Sequence, residues 1–319
     1  MPDWRTTPSA PERGPDPDRN SRDARATGTI FRMSVSPPRT WRPAALIRGS
    51  VALHLAAAGV TLVRPQLWPW ALSAVLADHL VLTAAGLWPR SGLLGPNWTR
   101  LPELRPSGSP RAVAITIDDG PDAEVTPAVL AVLEAHRATA TFFCVGERVE
   151  QYPSLARAIA ERHEIGNHSY RHGHGFALLG PRALAREVAR AQQAIGTTTG
   201  QWPCFFRAPA GLRNLFLEPV LARAGLQLAS WTRRGYDTLS DNSDAVTARL
   251  TRHLRAGDIL LLHDGHVART RAGVPLILEV LPRLLTALAT AQLTTTTLHA
   301  ALRRSTAPAD TQSAEAAST

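Results

Sequence analysis

The chain has 319 residues, 44% of them hydrophobic, which is enough for one large catalytic domain with a sizeable core plus an extension. All of its basic residues are arginine and the formal net charge is +9, but the charge is not gathered into basic runs interleaved with aromatics, so nucleic acid is not an expected partner. The two cysteines, Cys144 and Cys204, lie in apolar runs and supply neither a disulfide framework nor a cysteine zinc site.

Residues 1–43 are rich in Pro, Arg, Asp and Ser without an apolar period, the composition of a disordered tail. Two apolar stretches follow, 44–63 and 67–88, each close to the ~20 residues that cross a bilayer. Trp68, Trp70 and Trp88 flank the second as an interfacial belt would, and Pro65, Pro69 and Pro89 mark the ends. Residues 44–90 are therefore expected to form a membrane helical hairpin. Arg48 and His54 interrupt the first stretch and Asp78 and His79 the second, and an Asp at a helix centre costs about 2.5–3.5 kcal/mol on insertion. The competing expectation is two helices packed on a soluble domain or lying in the interface. Arg39, Arg42 and Arg48 precede the pair, Arg64 alone lies in the connection, and Arg90, Arg100 and Arg105 follow, so the positive-inside rule places both ends in the cytoplasm. Were only one stretch to span, the following domain would face outward.

From about residue 111 strand-like and helix-like segments alternate. The strand candidates are 112–117 (AVAITI), 139–145, a short stretch ending at His168, 204–209, 226–231, 258–263 (DILLLH) and 294–298. Helical patterns lie between them at 127–136, 155–161, 181–194, 215–224, 244–254 and 274–289. Repeated alternation of this kind predicts an α/β domain over 105–303, a distorted (β/α) barrel with parallel strands, whose chemistry sits at the carboxyl ends of the strands. Residues 304–319 read as a second disordered tail.

The polar residues track those strand ends. Asp118-Asp119-Gly120 follows the first strand, His168 the third with His172 four residues on, Arg207 ends the CFFR run, Asp237 follows the strand ending at Trp231, and His263-Asp264 ends DILLLH. Two imidazoles four residues apart plus one carboxylate, from Asp118 or Asp119, make a three-ligand zinc-type site with an open position. Taken alone, Asp-Asp-Gly-Pro is turn chemistry and a His pair is commonplace, the more so with His163 and His174 nearby. The second carboxylate is then available as a base, and Arg207 beside it would keep it charged and oriented. His263, with Asp237 or Asp264 as its partner, is a candidate general acid.

The segments ITIDDGPD, NHSYRH, FRAPAG, RRGYD and ILLLHDG, in that order, resemble the polysaccharide deacetylase family (the NodB-homology domain, carbohydrate esterase family four) over about residues 111–300. The resemblance implies a distorted (β/α) barrel and a divalent metal, commonly zinc. It implies Asp118 as general base, Asp119, His168 and His172 as metal ligands, Arg207 as the residue that tunes the base, and Asp237 as support for the acid His263. It also implies that Gly211 closes a pocket-shaping loop, with the backbone N–H of Ala210 near the developing oxyanion. Ala210 stands where the family usually carries an aromatic, and Asp237 sits in Arg-Gly-Tyr-Asp-Thr rather than before a Trp. The expected reaction is hydrolysis of N-acetyl or O-acetyl groups from a carbohydrate. Alternatives are an amide hydrolase acting on a lipid-linked sugar or small molecule, and a non-enzymatic, membrane-associated carbohydrate-binding module.

Overall fold

The computed structural model describes residues 38–102 and 111–306. The predicted tails fall outside these residues, except at their inner ends.

Helices α1 (Ala45–Val63) and α2 (Trp68–Leu87) form the expected hairpin, turned by a short 3-10 segment at Pro65–Leu67. Pro65 and Pro69 fall in first turns, where a missing N–H leaves no hydrogen bond unmade. Both helices are apolar on all sides, and only 6% and 11% of their apolar windows are buried, so neither is a core helix of the adjoining domain. Three of the four polar interruptions, His54, Asp78 and His79, meet partners across the pair. The Ser50 hydroxyl donates to Asp78 Oδ2 at 2.6 Å, and the Nε2 atoms of His54 and His79 lie 3.2 Å apart. Pairing of this kind removes much of the cost that each residue would carry alone in an apolar surrounding.

Both ends of the hairpin are fastened to the domain that follows. Before α1, the Arg39 N–H donates to the Ala222 carbonyl, and its guanidinium reaches Glu218 at 3.2 Å and the Leu226 carbonyl at 2.6 Å. After α2, the Arg213 N–H donates to the Gly86 carbonyl, the Asn97 amide to those of Pro89 and Ser91, and the Ser230 hydroxyl to that of Pro89.

The domain is built on β1 (Ala112–Asp118), α3 (Val125–Ala135), β2 (Ala140–Cys144), α4 (Gly146–Gln151), α5 (Pro153–Arg162), β3 (Glu164–Asn167) and α6 (Pro181–Thr199). It continues with β4 (Phe205–Phe206), α7 (Leu217–Arg223), β5 (Gln227–Leu228), β6 (Arg233–Arg234), α8 (Ser243–Thr251), β7 (Ile259–His263), α9 (Leu276–Thr290), β8 (Thr294–Thr295) and α10 (Leu298–Thr306). The strands run in the order β5-β4-β3-β2-β1-β7-β6, with β8 beside the start of β1, and every ladder is parallel. Among the described residues no ladder joins β5 to β6, and the segment around Trp98 and Arg100 bridges that side through Ala229 and Asp258. The result is a curled, incompletely closed sheet of the expected parallel kind.

The central strands β1 and β7 are buried along their whole length, which explains their unbroken apolar sequences. Helix α9 covers one side with Leu276, Val280, Leu284 and Leu288, apolar positions at helical spacing. The outer strands differ from expectation. The runs 204–209 and 226–231 contribute only two laddered residues each, because the chain leaves the sheet there to build loops. Strand β6 is a pair of arginines, made tolerable because the Arg233 guanidinium reaches Asp258 and the carbonyls of Arg252 and His253. At the C-terminus, Arg304, Ser305 and Thr306 complete α10 rather than opening a tail.

Candidate active site

The parallel sheet delivers its polar residues to one end. Asp118 closes β1 and stands in register with His263, which closes β7, while His168 and Arg207 directly follow β3 and β4. Asp237 arrives on the loop after β6. Asp118, His168 and His263 line a cavity of about 500 Å³ together with Ala210, Gly211 and Trp231, and Arg207 and Asp237 are hydrogen-bonded to Asp118 and His263 respectively.

Asp119, His168 and His172 converge. Both imidazole Nε2 atoms point at the same carboxylate oxygen, His168 from 3.2 Å and His172 from 3.1 Å. That oxygen, Asp119 Oδ1, is buried and makes no geometrically acceptable hydrogen bond. The His168 Nδ1–H donates to the Arg207 carbonyl at 2.8 Å, which leaves its Nε2 lone pair facing Asp119. Burial pushes the Asp119 carboxyl up, but His168, His266 and His172 outweigh it and hold it well below the carboxylate range. Burial lowers His172 to about 4, assisted by His168, so its imidazole is neutral. For His168 the order reverses: burial works against the charged form, and Asp118 and Asp119 overcome it. Two imidazoles and a carboxylate whose buried oxygen has no partner, in a place that attracts positive charge, fit a divalent cation.

Beside this group lies Arg207, 1% exposed. Its NH1 donates to Asp118 Oδ1 at 2.6 Å and Thr116 Oγ1 at 2.8 Å, its Nε to the Ala229 carbonyl and its NH2 to the Ser230 carbonyl. The guanidinium also lies over the Phe143 ring, 4.1 Å from its centroid. Every polar contact of this buried cation is directed, and the outcome is a fixed Asp118 whose other oxygen, Oδ2, lies 3.7 Å from His168 Nε2. On the far strand His263 is gripped by Asp237, and burial, which lowers its pKa, is outweighed by that carboxylate so that the net value is about 8.

The choice between Asp237 and Asp264 as the partner of His263 is thereby made. Asp264 turns inward, where Thr126 donates to it at 2.5 Å, and burial pushes its carboxyl up to about 7. Its carboxyl occupies the space a side chain at Gly120 would need. Gly211 has a similar reason: its φ is +75°, and a Cβ there would lie 2.6 Å from both Pro89 and Trp231. Ala210, at the cavity rim, is held at φ 54°. Asp119, Ser169, His172, Tyr236 and His266 also take positive φ, a concentration of strained backbone around one cavity.

His266, Arg234 and Leu239 are among the cavity residues not singled out from the sequence. His266 lies with its Nδ1 3.5 Å from Asp119 Oδ2 and its ring nearly parallel to that of His172. Its place three residues beyond His263 in LHDGH was the available signal. Arg234 and Leu239 carried none, since neither an arginine after a strand nor an exposed leucine is unusual.

The pattern of the family described as polysaccharide deacetylase matches residues 105–229. The peptidoglycan-N-acetylglucosamine deacetylase PgdA of Listeria monocytogenes is 32% identical over 172 residues, 54% of this chain and 36% of that protein, so the chain spans little more than a third of that relative's length. A chitooligosaccharide deacetylase of Bradyrhizobium is 37% identical over 158 residues, 49% of this chain and 72% of that one. Among solved structures, a family 4 carbohydrate esterase from Streptomyces lividans in complex with acetate superposes with a TM-score of 0.52 and 33% identity, covering 58% of this chain and 91% of the other.

Proposed function

We infer what this chain does from one premise: it belongs to the polysaccharide deacetylase family. Its reaction is the hydrolysis of acetyl groups, N-acetyl in the first instance, from an acetylated carbohydrate. The observation that carries this reading is the placing of the Arg207-held Asp118, the Asp119–His168–His172 cluster and the Asp237-held His263 around one cavity.

Asp119, His168 and His172 would hold a divalent cation, zinc being the natural choice for two imidazoles and a carboxylate. When bound, such an ion supplies Lewis-acid activation of water and of the acetyl carbonyl. Asp118 takes the proton from the attacking water, and its bond to Arg207 keeps the accepting oxygen in place. His263, protonated and anchored by Asp237, returns a proton to the departing amine nitrogen. The strained turn at Ala210 sets its backbone N–H at the cavity rim, where it can face the developing oxyanion. One water and one acetamide are consumed, and one acetate and one amine leave.

The hairpin joins this reading as a membrane anchor. Helices of 19 and 20 residues extend about 30 Å, the thickness of the hydrocarbon layer. Leu55, Leu62, Leu76, Leu80, Trp70 and Trp88 are all exposed, a surface too apolar to be left to water. Both hairpin ends are fastened to the catalytic domain, and under the positive-inside rule the arginines flanking them support a cytoplasmic position for it.

The test is acetate release by the full-length chain in detergent micelles, from tetra-N-acetylchitotetraose and from peptidoglycan, with zinc supplied and after chelation. Release that requires metal and is lost in both His168→Ala and Asp118→Asn is the expected result. Absence of release in a protein shown to hold zinc would remove the deacetylase reading.

A further inference from the structure

Between the hairpin and the catalytic domain runs a second cavity, of about 530 Å³, that the acetyl-transfer chemistry does not use. Its walls are Val51 and Leu55 of α1, Leu82 and Leu87 of α2, and Leu178 and Leu215 of the domain. Leu178 is 89% exposed on a 3-10 turn, an apolar side chain that the fold of the domain alone does not bury.

The groove and the active site share their dividing wall. The loop 172–178 contributes His172 and His174 to the active site and Ala177 and Leu178 to the groove. The loop 210–215 contributes Ala210 and Gly211 to the one and Arg213, Asn214 and Leu215 to the other. The Asn214 amide ties the two loops together by donating to the carbonyls of Ala177 and Leu179, both at 2.9 Å. Pro89, just past the end of α2, packs against Gly211 itself. The groove is not uniformly apolar. Arg213 is buried on the loop where groove and active site part; its NH2 donates to the carbonyls of Ser91 and Gly95, and its Nε has no partner. Along α2 the groove extends from Leu87 to His79, about 12 Å of helix.

We propose that the acetylated sugar is carried on a membrane lipid through a phosphate link: the sugar enters the active site, the lipid chain lies in the groove between hairpin and domain, and Arg213 faces the phosphate between them. This rests on the deacetylase reading above and names its substrate class. An apolar channel open to the bilayer suits a hydrocarbon chain, a buried arginine beside it suits a phosphate, and the shared wall sets head and tail at adjoining sites. A substrate delivered within the membrane plane also accounts for fastening the hairpin at both ends, which a simple tether does not require.

The experiment compares kcat/KM for two compounds, N-acetylglucosamine phosphate esterified with a farnesyl chain and the same sugar phosphate esterified with methyl. Both are tested with the full-length, zinc-loaded chain in the same micelles, and tetra-N-acetylchitotetraose serves as a third substrate. The expected result is at least a tenfold preference for the farnesyl compound. Leu178→Asp and Leu55→Asp are each expected to reduce that preference at least tenfold, and Leu76→Asn, on an exposed part of α2 outside the groove, to retain it. The preference is a ratio, so loss of folded protein in a variant cancels. Equal kcat/KM for the two esters overturns the inference. A preference that survives both groove substitutions overturns it too, since partition into the micelle then explains the difference and bilayer lipid alone fills the groove. Release from the chitotetraose with none from the farnesyl compound overturns the inference and leaves the deacetylase reading standing, whereas no release from any of the three removes both.

Discussion

Asp237 holds His263 at two points: Oδ1 lies 2.9 Å from the ring Nδ1, and Oδ2 accepts the backbone N–H of the same residue at 2.7 Å. The double grip fixes both the ring's tautomer and the strand end that carries it, with Nε2 left for the substrate. The carboxylate is fully buried, so its charge acts on the imidazole with little screening by water.

With His263 as the proton donor of the proposed mechanism, that contact would set the alkaline limit of the reaction. Burial alone would lower the His263 pKa, and Asp237 together with the more distant Asp118 and Asp119 raises it to about 8. A proton donor is competent below its pKa, so kcat is expected to be level toward neutral pH and to fall as pH rises through about 8. Asp237→Asn removes the opposing charge, and the limb should move down by about one unit or more in a pH–rate profile. A limb that stays in place would separate His263 from proton donation.

Arg207 and Asp118 form a buried ion pair, and the two partners are not equivalent in their loss. Arg207→Ala strands a carboxylate inside the domain and should cost about 3–5 kcal/mol in urea unfolding, with activity lost as well. Asp118→Asn keeps an acceptor for the guanidinium but removes its counter-charge, so it should lose less stability than Arg207→Ala while deacetylation falls at least ~100-fold. Parallel losses of stability in the two variants would contradict a separate chemical role for Asp118.

Glu164, at the start of β3, offers a test of stability at the opposite end of the sheet. Burial pushes its carboxyl up to about 7, and hydrogen bonds from the His299 backbone and the Thr141 hydroxyl offset this only in part. The folded value lies above the ordinary 4.5, so the stabilisation is complete below about 4.5 and is lost as pH rises through 7. Glu164→Gln should therefore raise Tm at pH 8.5, by about 2–4 °C for each kcal/mol relieved, and change it little at pH 4. Scanning calorimetry at the two pH values decides it, and an equal shift at both would show that the charge is not the cause.

Local sequence determined a good deal of this protein. AVAITI and DILLLH are legible as strands because a centrally placed parallel strand is covered on both faces and has no polar side to show. The hairpin is legible because neither helix carries a polar face and prolines mark its turn. Asp118-Asp119, Arg207 and His263-Asp264 are legible because each closes or directly follows an apolar run, and parallel topology places all such ends together.

Other features depend on partners distant in the chain. Strand β6 is two arginines that no local pattern marks; Asp258 and two carbonyls receive the charge of Arg233, and Arg234 lies over the rings of Trp231 and Tyr236. Asp237 and Asp264 are equal candidates in sequence, and only the packing of Gly120 and Thr126 around Asp264 turns that residue away from His263. His54, Asp78 and His79 read as flaws in two apolar helices until the helices are laid side by side, where His54 meets His79 and Asp78 accepts from Ser50. The groove beside the active site belongs to the same class, since a cavity between a hairpin and a barrel is a relation between surfaces. Hydrophobic periodicity is encoded residue by residue and survives reading in one dimension, whereas charge pairing, strand length and cavity shape are settled by atoms that the chain brings together from far apart.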